Sequence, residues 1–400
     1  MGLRQKVTKR GVWHAVRNTV LLIAVLFIGI NIGNGRIQLP GQSSQNPQLP
    51  ARLNYDSVND VYQALKTNYD GKLTQAQLED GLKHGLAEST KDPYTVYFTA
   101  KEAQKFNEDL NNTFSGIGAQ LGLDDNGTLQ VISPIDGFPA QKAGLKAKDL
   151  IATINGESTQ GMSIDAAVDK IRGPSGTRVK LEVVRNRSQA LTFDINRENI
   201  NIPSVKAKVL DGNIGYIQIT SFSEDTVKLA REQAQDLKNK GVKGIVLDLR
   251  GNPGGLLNGA VDVSSIWLSQ GKMVLQEKSG NTVNDTQYAT GGAILNGMPT
   301  VVLIDGGSAS ASEITAGALR DNNAAYLIGE KSYGKGVVQQ LINFRDNSQL
   351  KVTVASWYRP NGQNINKKGI TPDKTVKNDE ASVKAGQDPQ LQAAQDYLNR

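Results

Sequence analysis

The sequence predicts an α/β protein of several domains, and three observations predict it. Across residues 212–370, apolar branched runs alternate with stretches of helical periodicity, the pattern of a βα core. Ahead of this, residues 113–197 alternate short strand-like runs with turns. Ahead of that again, residues 54–110 carry apolar side chains at helix-like spacing. Four hundred residues are enough for two or three separate cores.

Each element has its own signal. Val58, Val61, Tyr62, Leu65 and Tyr69 line one face of a first helix, and Thr74 is the natural N-cap of a second over residues 75–86. Strands are expected at 129–132, 150–154 and 179–185, with short helices at 140–144 and 164–172; Asn155-Gly156 closes the second strand in a turn. In the βα region, residues 214–219, 244–249, 300–304 and 350–357 read as strands. Residues 225–240, 256–268 and 310–320 read as helices. The 244–249 run is apolar and branched throughout, as a strand buried on both faces must be. The polar tail, 374–400, is expected either to pack on a neighbouring surface or to stay mobile.

The pI of about 9.2 is misleading until the charge is located. Residues 1–36 carry six Lys and Arg and no acidic residue, leaving 39 basic against 39 acidic residues beyond them. No basic stripe with interleaved aromatics argues for nucleic acid. The charged segment precedes an uncharged, apolar run whose densest part is Val20 to Ile30. Positive charge on one side of such a run, and a polar linker on the other, is the layout of an export signal or signal-anchor. The run is short against the ~20 residues of a spanning helix, and Trp13 is expected to extend it at the interface. No Ala-x-Ala-like site follows, which favours an uncleaved anchor over secretion after signal cleavage. The boundaries read as a basic cytoplasmic N-terminus (1–18), an anchor (19–35), a Gln/Pro/Ser-rich tether (36–53,), a helical region (54–110), a strand-rich domain (111–200), the βα core (201–373) and the tail (374–400). The expected location is the cytoplasmic membrane, single-pass, with the folded region outside the cytoplasm, at a cell surface or in a periplasm.

The chain has two histidines, His14 and His84, and no cysteine. Thiolate and imidazole metal sites are therefore disfavoured, Asp124-Asp125 lacks a full calcium-loop pattern, and no metal or cofactor is expected. A Ser-His-Asp triad is equally disfavoured, which leaves Ser-Lys chemistry if a serine is the nucleophile. Gly307-Ser-Ala-Ser-Ala-Ser-Glu-Ile314 follows a predicted strand and opens a helix. A helix N-terminus offers unpaired N–H groups to an oxyanion. Ser308, Ser310 and Ser312 are equally good small N-caps there, and chemistry alone does not choose among them. In Tyr333-Gly-Lys-Gly-Val-Val-Gln339, Lys335 is flanked by glycines and followed by an apolar run. Burial there would disfavour its charge and free it to accept a proton; the plainer alternative is an exposed turn lysine. Asn252-Pro-Gly-Gly255 lacks the Gly-Lys-Ser/Thr ending of a phosphate loop.

Five motifs occur in one order: Phe114-Ser-Gly-Ile-Gly118, Asp248-Leu-Arg-Gly-Asn-Pro-Gly-Gly255, the Ser-Ala repeat, Gly334-Lys-Gly336 and Gly369-Ile-Thr-Pro-Asp373. With the 25-residue gap between Ser310 and Lys335, the chain resembles the carboxyl-terminal processing peptidases, PDZ-containing Ser-Lys serine proteases, from about residue 54 to 373. The resemblance implies a crotonase-like protease core with an inserted PDZ domain, in an endopeptidase acting on protein C-terminal tails. It selects Ser310 as nucleophile, Lys335 as general base and Gln339 as the residue orienting that lysine, with Gln340 a rival. It points to an oxyanion hole made by Gly254 or Gly255 with Ala311. It makes Ser115, Gly116, Ile117 and Gly118 a carboxylate-binding nest, with Ile117 and Leu121 lining the pocket for the last side chain; alone, the two glycines make only a tight turn. Relatives often keep the dyad misaligned until a tail binds, and Arg172, in Ile171-Arg-Gly173, is the candidate for that coupling. A homodimer through the helical region is implied too, against packing of those helices on their own chain. Asn364-Ile-Asn366 lacks a histidine that relatives often carry, which is expected to affect local packing more than the dyad. The alternative from another class is a catalytically silent PDZ scaffold on a protease-like core. A lipid or polysaccharide hydrolase is a weaker third.

Overall fold

The computed structural model describes residues 49–50, 52–111, 113–124, 126–379, 382 and 386–400. The basic N-terminus, the apolar run and most of the tether lie outside the described residues. Among those described, no helix is long and apolar enough to cross a membrane. They divide into two compact units, split between Leu73 and Thr74.

The first unit holds the helix Asp56–Asn68, which has no buried residue. Its apolar stripe, including Val61, Tyr62 and Leu65, is exposed. In the second unit Thr74 caps the helix Gln75–Glu88 in a capping box with Gln77.

A six-stranded sheet forms the heart of the second unit. Its order is Val205–Leu210, Ile214–Ile219, Gly244–Asp248, Thr300–Ile304, Tyr326–Gly329, Lys374–Thr375. The first pair is antiparallel and the remaining four pairings are parallel. Every residue of Gly244–Asp248 is buried, because each face has its own cover. Ile245 and Leu247 face a large cluster with Ile217, Val302, Ile314 and Trp357. Val246 faces a smaller one with Val301, Leu303, Ile328, Ala393 and Ala394.

The last two belong to the helix Pro389–Leu398, so this part of the tail is docked rather than mobile. Arg250 explains how. Its guanidinium reaches both oxygens of Asp388 at 2.8 Å, Gln390 Oε1 at 3.0 Å and Asp248 Oδ2 at 2.6 Å. Tyr216 Oη donates to the same Asp248 oxygen. The motif arginine thus clamps the tail beneath the strand from which it emerges.

A five-stranded sheet packs beside this core. It joins Val96–Phe98, Gln349–Tyr358, Met273–Ser279 and Thr282–Tyr288, with Val337–Asn343 paired on Gln349–Tyr358. The strand-rich domain has its own cluster around Val131, Ile151, Leu181 and Ile195. Its sheet runs Ala119–Leu123, Leu129–Pro134, Leu150–Ile154, Arg178–Arg185, Gln189–Asn196.

Most elements match the sequence reading within two residues. The helix expected over 256–268 is shorter, Leu257–Ser264. Ser264 and Ser265 are buried there and donate back to the carbonyls of Ala260 and Val261, a bonding mode that weakens a helix.

Removing the Arg250 guanidinium would leave Asp248 buried without its cation. Arg250→Ala is expected to cost about 3–5 kcal/mol of stability, measured as a lower urea midpoint. An unchanged midpoint would show that the clamp contributes nothing.

Candidate active site

The four parallel strands Ile214–Ile219, Gly244–Asp248, Thr300–Ile304 and Tyr326–Gly329 end on one edge of the sheet. Ligand sites in parallel sheets form outside such carboxyl ends. The loops that follow, near residues 222, 249–255, 305–310 and 332–336, carry the sequence motifs.

Asn252 ties three of these loops together. It is fully buried. Its Nδ2 donates to the Ile219 carbonyl at 2.8 Å, and its Oδ1 accepts from Gly254 N at 2.8 Å. Its carbonyl accepts from Ala309 N and from Ser312 Oγ, both at 3.0 Å. The adjoining glycines are required by space. A Cβ on Gly254 (φ +101°) would lie 2.7 Å from Ala309 O, 2.8 Å from Ser310 Cβ and 2.9 Å from Ala311 N. One on Gly255 would meet Phe222 O at 2.2 Å.

The three serines now separate. Ser308 is buried, donating to Leu249 O and accepting from Asp305 N. Ser312 is buried on Asn252. Ser310 alone keeps partial exposure. It precedes the helix Ala311–Asp321 rather than opening it, with φ 51° and ψ −114°. A non-glycine residue in that region is strained, and a strained strand-to-helix turn is how some hydrolases present a serine.

Beside the Ser310 turn, the N–H groups of Gly255 and Ala311 lack acceptors among the described residues. The N–H of Gly254 is taken by Asn252. Of the two glycines expected at an oxyanion hole, Gly255 is therefore the one with a free donor.

Lys335 is half-buried. Its Nζ lies 5.2 Å from the centre of the Tyr94 ring. Burial and then Lys351 push its pKa below the ordinary lysine value, while Asp92 and Glu313 oppose them. Its backbone is threaded tightly. A Cβ on Gly334 would lie 2.6 Å from Gly369 N, and one on Gly336 would lie 2.5 Å from Asn366 N. Asn364 Nδ2 donates to the carbonyls of Gly336 and Trp357, so this asparagine packs the loop.

Gln339 donates its side-chain amide to Tyr94 O, while Gln340 is exposed. Among the described residues, no hydrogen bond joins Lys335 Nζ to Ser310 Oγ or to Gln339. The loops place Ser310 and Lys335 on one edge but leave them unjoined.

Glu313 was not foreseen. Its buried carboxylate accepts from Ser310 N and Lys335 N at 2.9 Å, Gly334 N at 2.7 Å and Ser332 Oγ at 2.5 Å. The spacing Ser310-x-x-Glu313 is that of a capping box, the signal that could have found it. Asp92, Tyr94 and Lys351 come from distant segments and carry no such signal.

In the strand-rich domain, Ala119–Leu123 is a sheet edge facing the helix Ile164–Ile171. Ser115 and Gly116 pair with Asn199 and Glu198. The N–H groups of Ile117 and Gly118 have no acceptor among the described residues. Gly118 has φ +71°, and its Cβ would lie 2.5 Å from Phe138 Cβ. Ile117 is buried at 2% exposure, inside the domain cluster, whereas Leu121 is half-buried. Of the two expected wall residues, Leu121 therefore has the more accessible surface. Arg172 lies 3.4 Å from Asp109 and over the Phe114 ring at 4.6 Å. Among the described residues it makes no bond to the loops holding Ser310 and Lys335.

Comparison with known proteins agrees with this layout. The model of peptidase family S41 matches residues 213–376, and that of the PDZ domain matches 107–184. Carboxy-terminal processing protease CtpA of Bacillus subtilis (strain 168) is 40% identical over 354 residues, covering 88% of this chain and 75% of that protein. CtpB of the same organism is 35% identical over 368 residues, covering 88% and 76%. Among solved structures, the photosystem II D1 C-terminal processing protease aligns with a TM-score of 0.51 at 26% identity, covering 86% of this chain and 91% of that one. A serine-type peptidase core carrying a PDZ domain is the class these matches define. The chain belongs to the carboxy-terminal processing proteases of family S41.

Gly254→Ala forces a methyl group into the Ser310 turn. Peptidase activity is expected to fall on the order of 100-fold, the scale of a ~1 Å misplacement, with a smaller effect on peptide binding. Wild-type turnover by this variant would mean that the close approach is not needed.

Proposed function

We propose that the chain is a membrane-anchored endopeptidase with a crotonase-like core, which captures protein C-terminal tails on its PDZ domain and cleaves them with a Ser310–Lys335 dyad. One observation carries the reading: Ser310, the partly exposed and strained serine of three, shares a single buried carboxylate with the backbone of half-buried Lys335. In the reaction, Ser310 Oγ attacks the scissile carbonyl as neutral Lys335 takes its proton. The N–H groups of Gly255 and Ala311 hold the oxyanion. Lys335 returns the proton to the leaving amine, and water then releases the acyl group with Lys335 again as base. Gln339 would orient the lysine once released from Tyr94. The tail would add as a strand along Ala119–Leu123, its carboxylate on the Ile117 and Gly118 amides and its last side chain against Leu121.

The unjoined dyad supports a gated resting state. Arg172 grips Asp109, at the end of the helix Ala100–Leu110. That helix follows the strand Val96–Phe98, and Tyr94 lies just before it. This continuity is a route from tail binding to Gln339. The charge and apolar run of the N-terminus support anchoring, with the catalytic region outside the cytoplasmic membrane. The exposed stripe of the helix Asp56–Asn68 supports a homodimer, which sedimentation would detect.

The deciding experiment compares residues 37–400 with the same protein carrying Lys335→Ala, on an unfolded substrate read by mass spectrometry. Cleavage by the first alone is expected. Equal cleavage would remove Lys335 from the mechanism. If neither cleaves, labelling of Ser310 by a serine-reactive phosphonate while a peptide is bound separates a gated protease from a silent scaffold.

Because Lys335 must be neutral, kcat/KM is expected to rise with pH through a midpoint below that of a free lysine. Lys351→Met removes a like charge that lowers the Lys335 pKa, so the midpoint should move to higher pH. A midpoint that stays put or falls would contradict lysine as the base. Arg172→Ala should lose stimulation by substrate tails, and full stimulation would remove it from the gating route.

A further inference from the structure

We propose that Glu313 is a positioning residue of this site: its ionised carboxylate sets the spacing and the charge balance between Ser310 and Lys335. The inference rests on the dyad reading above and adds a residue to it.

Four donors converge on two oxygens. Oε1 accepts from Ser332 Oγ and Gly334 N, and Oε2 accepts from Ser310 N and Lys335 N. An ionised carboxylate offers about four lone-pair sites, so the set is filled. Three of the four donors are backbone N–H groups that cannot accept a proton, and only the Ser332 hydroxyl could turn to do so. The geometry therefore favours the anion, while burial works against it by pushing the Glu313 pKa up.

The donors come from two places in the chain. Ser310 N belongs to the turn before the helix Ala311–Asp321, and the other three belong to the loop 332–335. Ser332 Oγ, while donating to Glu313, accepts from Ile370 N at 2.6 Å. Tyr333 N donates to Ser308 O at 3.0 Å. The carboxylate is thus the side chain that binds the backbones of both dyad residues. Its distance to each is set by hydrogen bonds and not by the flexible lysine stem.

It also acts through charge. The charged groups facing Lys335 are Lys351 on the strand Gln349–Tyr358, Asp92 on the segment before Tyr94, and Glu313. Lys351 disfavours the ammonium form, and the two carboxylates favour it. Removing the Glu313 charge makes Lys335 easier to deprotonate.

Glu313→Gln tests both halves. Glutamine keeps the size but has one acceptor oxygen, and its NH2 would face backbone N–H groups. The expected result is a fall in kcat on the order of 100-fold with KM within about twofold. The ascending limb of kcat/KM should also shift to lower pH. Unchanged kcat overturns the proposal. So does a loss of kcat with an unmoved limb, which a merely structural role would give. Glu313→Asp keeps the charge while shortening the reach. Should the glutamine variant fail to fold, the aspartate variant should lose kcat with the limb unmoved, and wild-type kcat in it overturns the proposal. Lys335→Ala runs alongside. If that variant is active the dyad reading fails, whereas an inactive Lys335→Ala beside a wild-type-like Glu313→Gln refutes the role of Glu313 alone.

Discussion

The close approach of two glycine-rich turns governs this site. Gly254 lies so near Ser310 and Ala311 that a single methyl group would collide with both. That proximity is what brings the open N–H groups of Gly255 and Ala311 to one edge of the sheet. It also coincides with the positive φ of Ser310. Strain of about 1–3 kcal/mol per such residue persists only when its surroundings over-determine it. Here the surroundings are parallel strands in fixed register, Leu247 beside Val302 and Val302 beside Leu327.

Buried polar groups hold the turns, and each is well supplied with partners. Asn252 uses its amide and its carbonyl on three loops. Arg250 spends its donors on Asp248, Asp388 and Gln390. Burying such groups stabilises a unique arrangement only when they are paired, because an unpaired one costs about 1–3 kcal/mol. The Asp248–Gly255 motif is therefore mostly scaffold, with its arginine serving the tail and its asparagine serving the serine loop.

Much of the fold was legible because periodicity reports burial. The alternation across 212–370 and the unbroken apolar run at 244–249 correspond to strands covered on one or both faces. Thr74 announced its helix through its own side-chain bond. The shortened helix after Leu256 was illegible, since the back-bonding of Ser264 and Ser265 depends on their burial. Docking of the tail was also hidden, because Asp388 meets Arg250 from 138 residues away.

The sequence by itself determined the family, the order of domains and the small set of residues able to carry chemistry. Two histidines and no cysteine leave few alternatives, and motif order does not depend on folding. The motif resemblance already singled out Ser310, but only the tertiary structure supplied the physical ground, the burial of Ser308 and Ser312, and only it distinguished Gly255 from Gly254. It also set Tyr94 against Lys335 and Gln339, and it placed one glutamate beneath both loops. Residue identity states which bonds a group is able to make. Burial and the approach of distant segments decide which of those bonds are already used and which groups remain free to react.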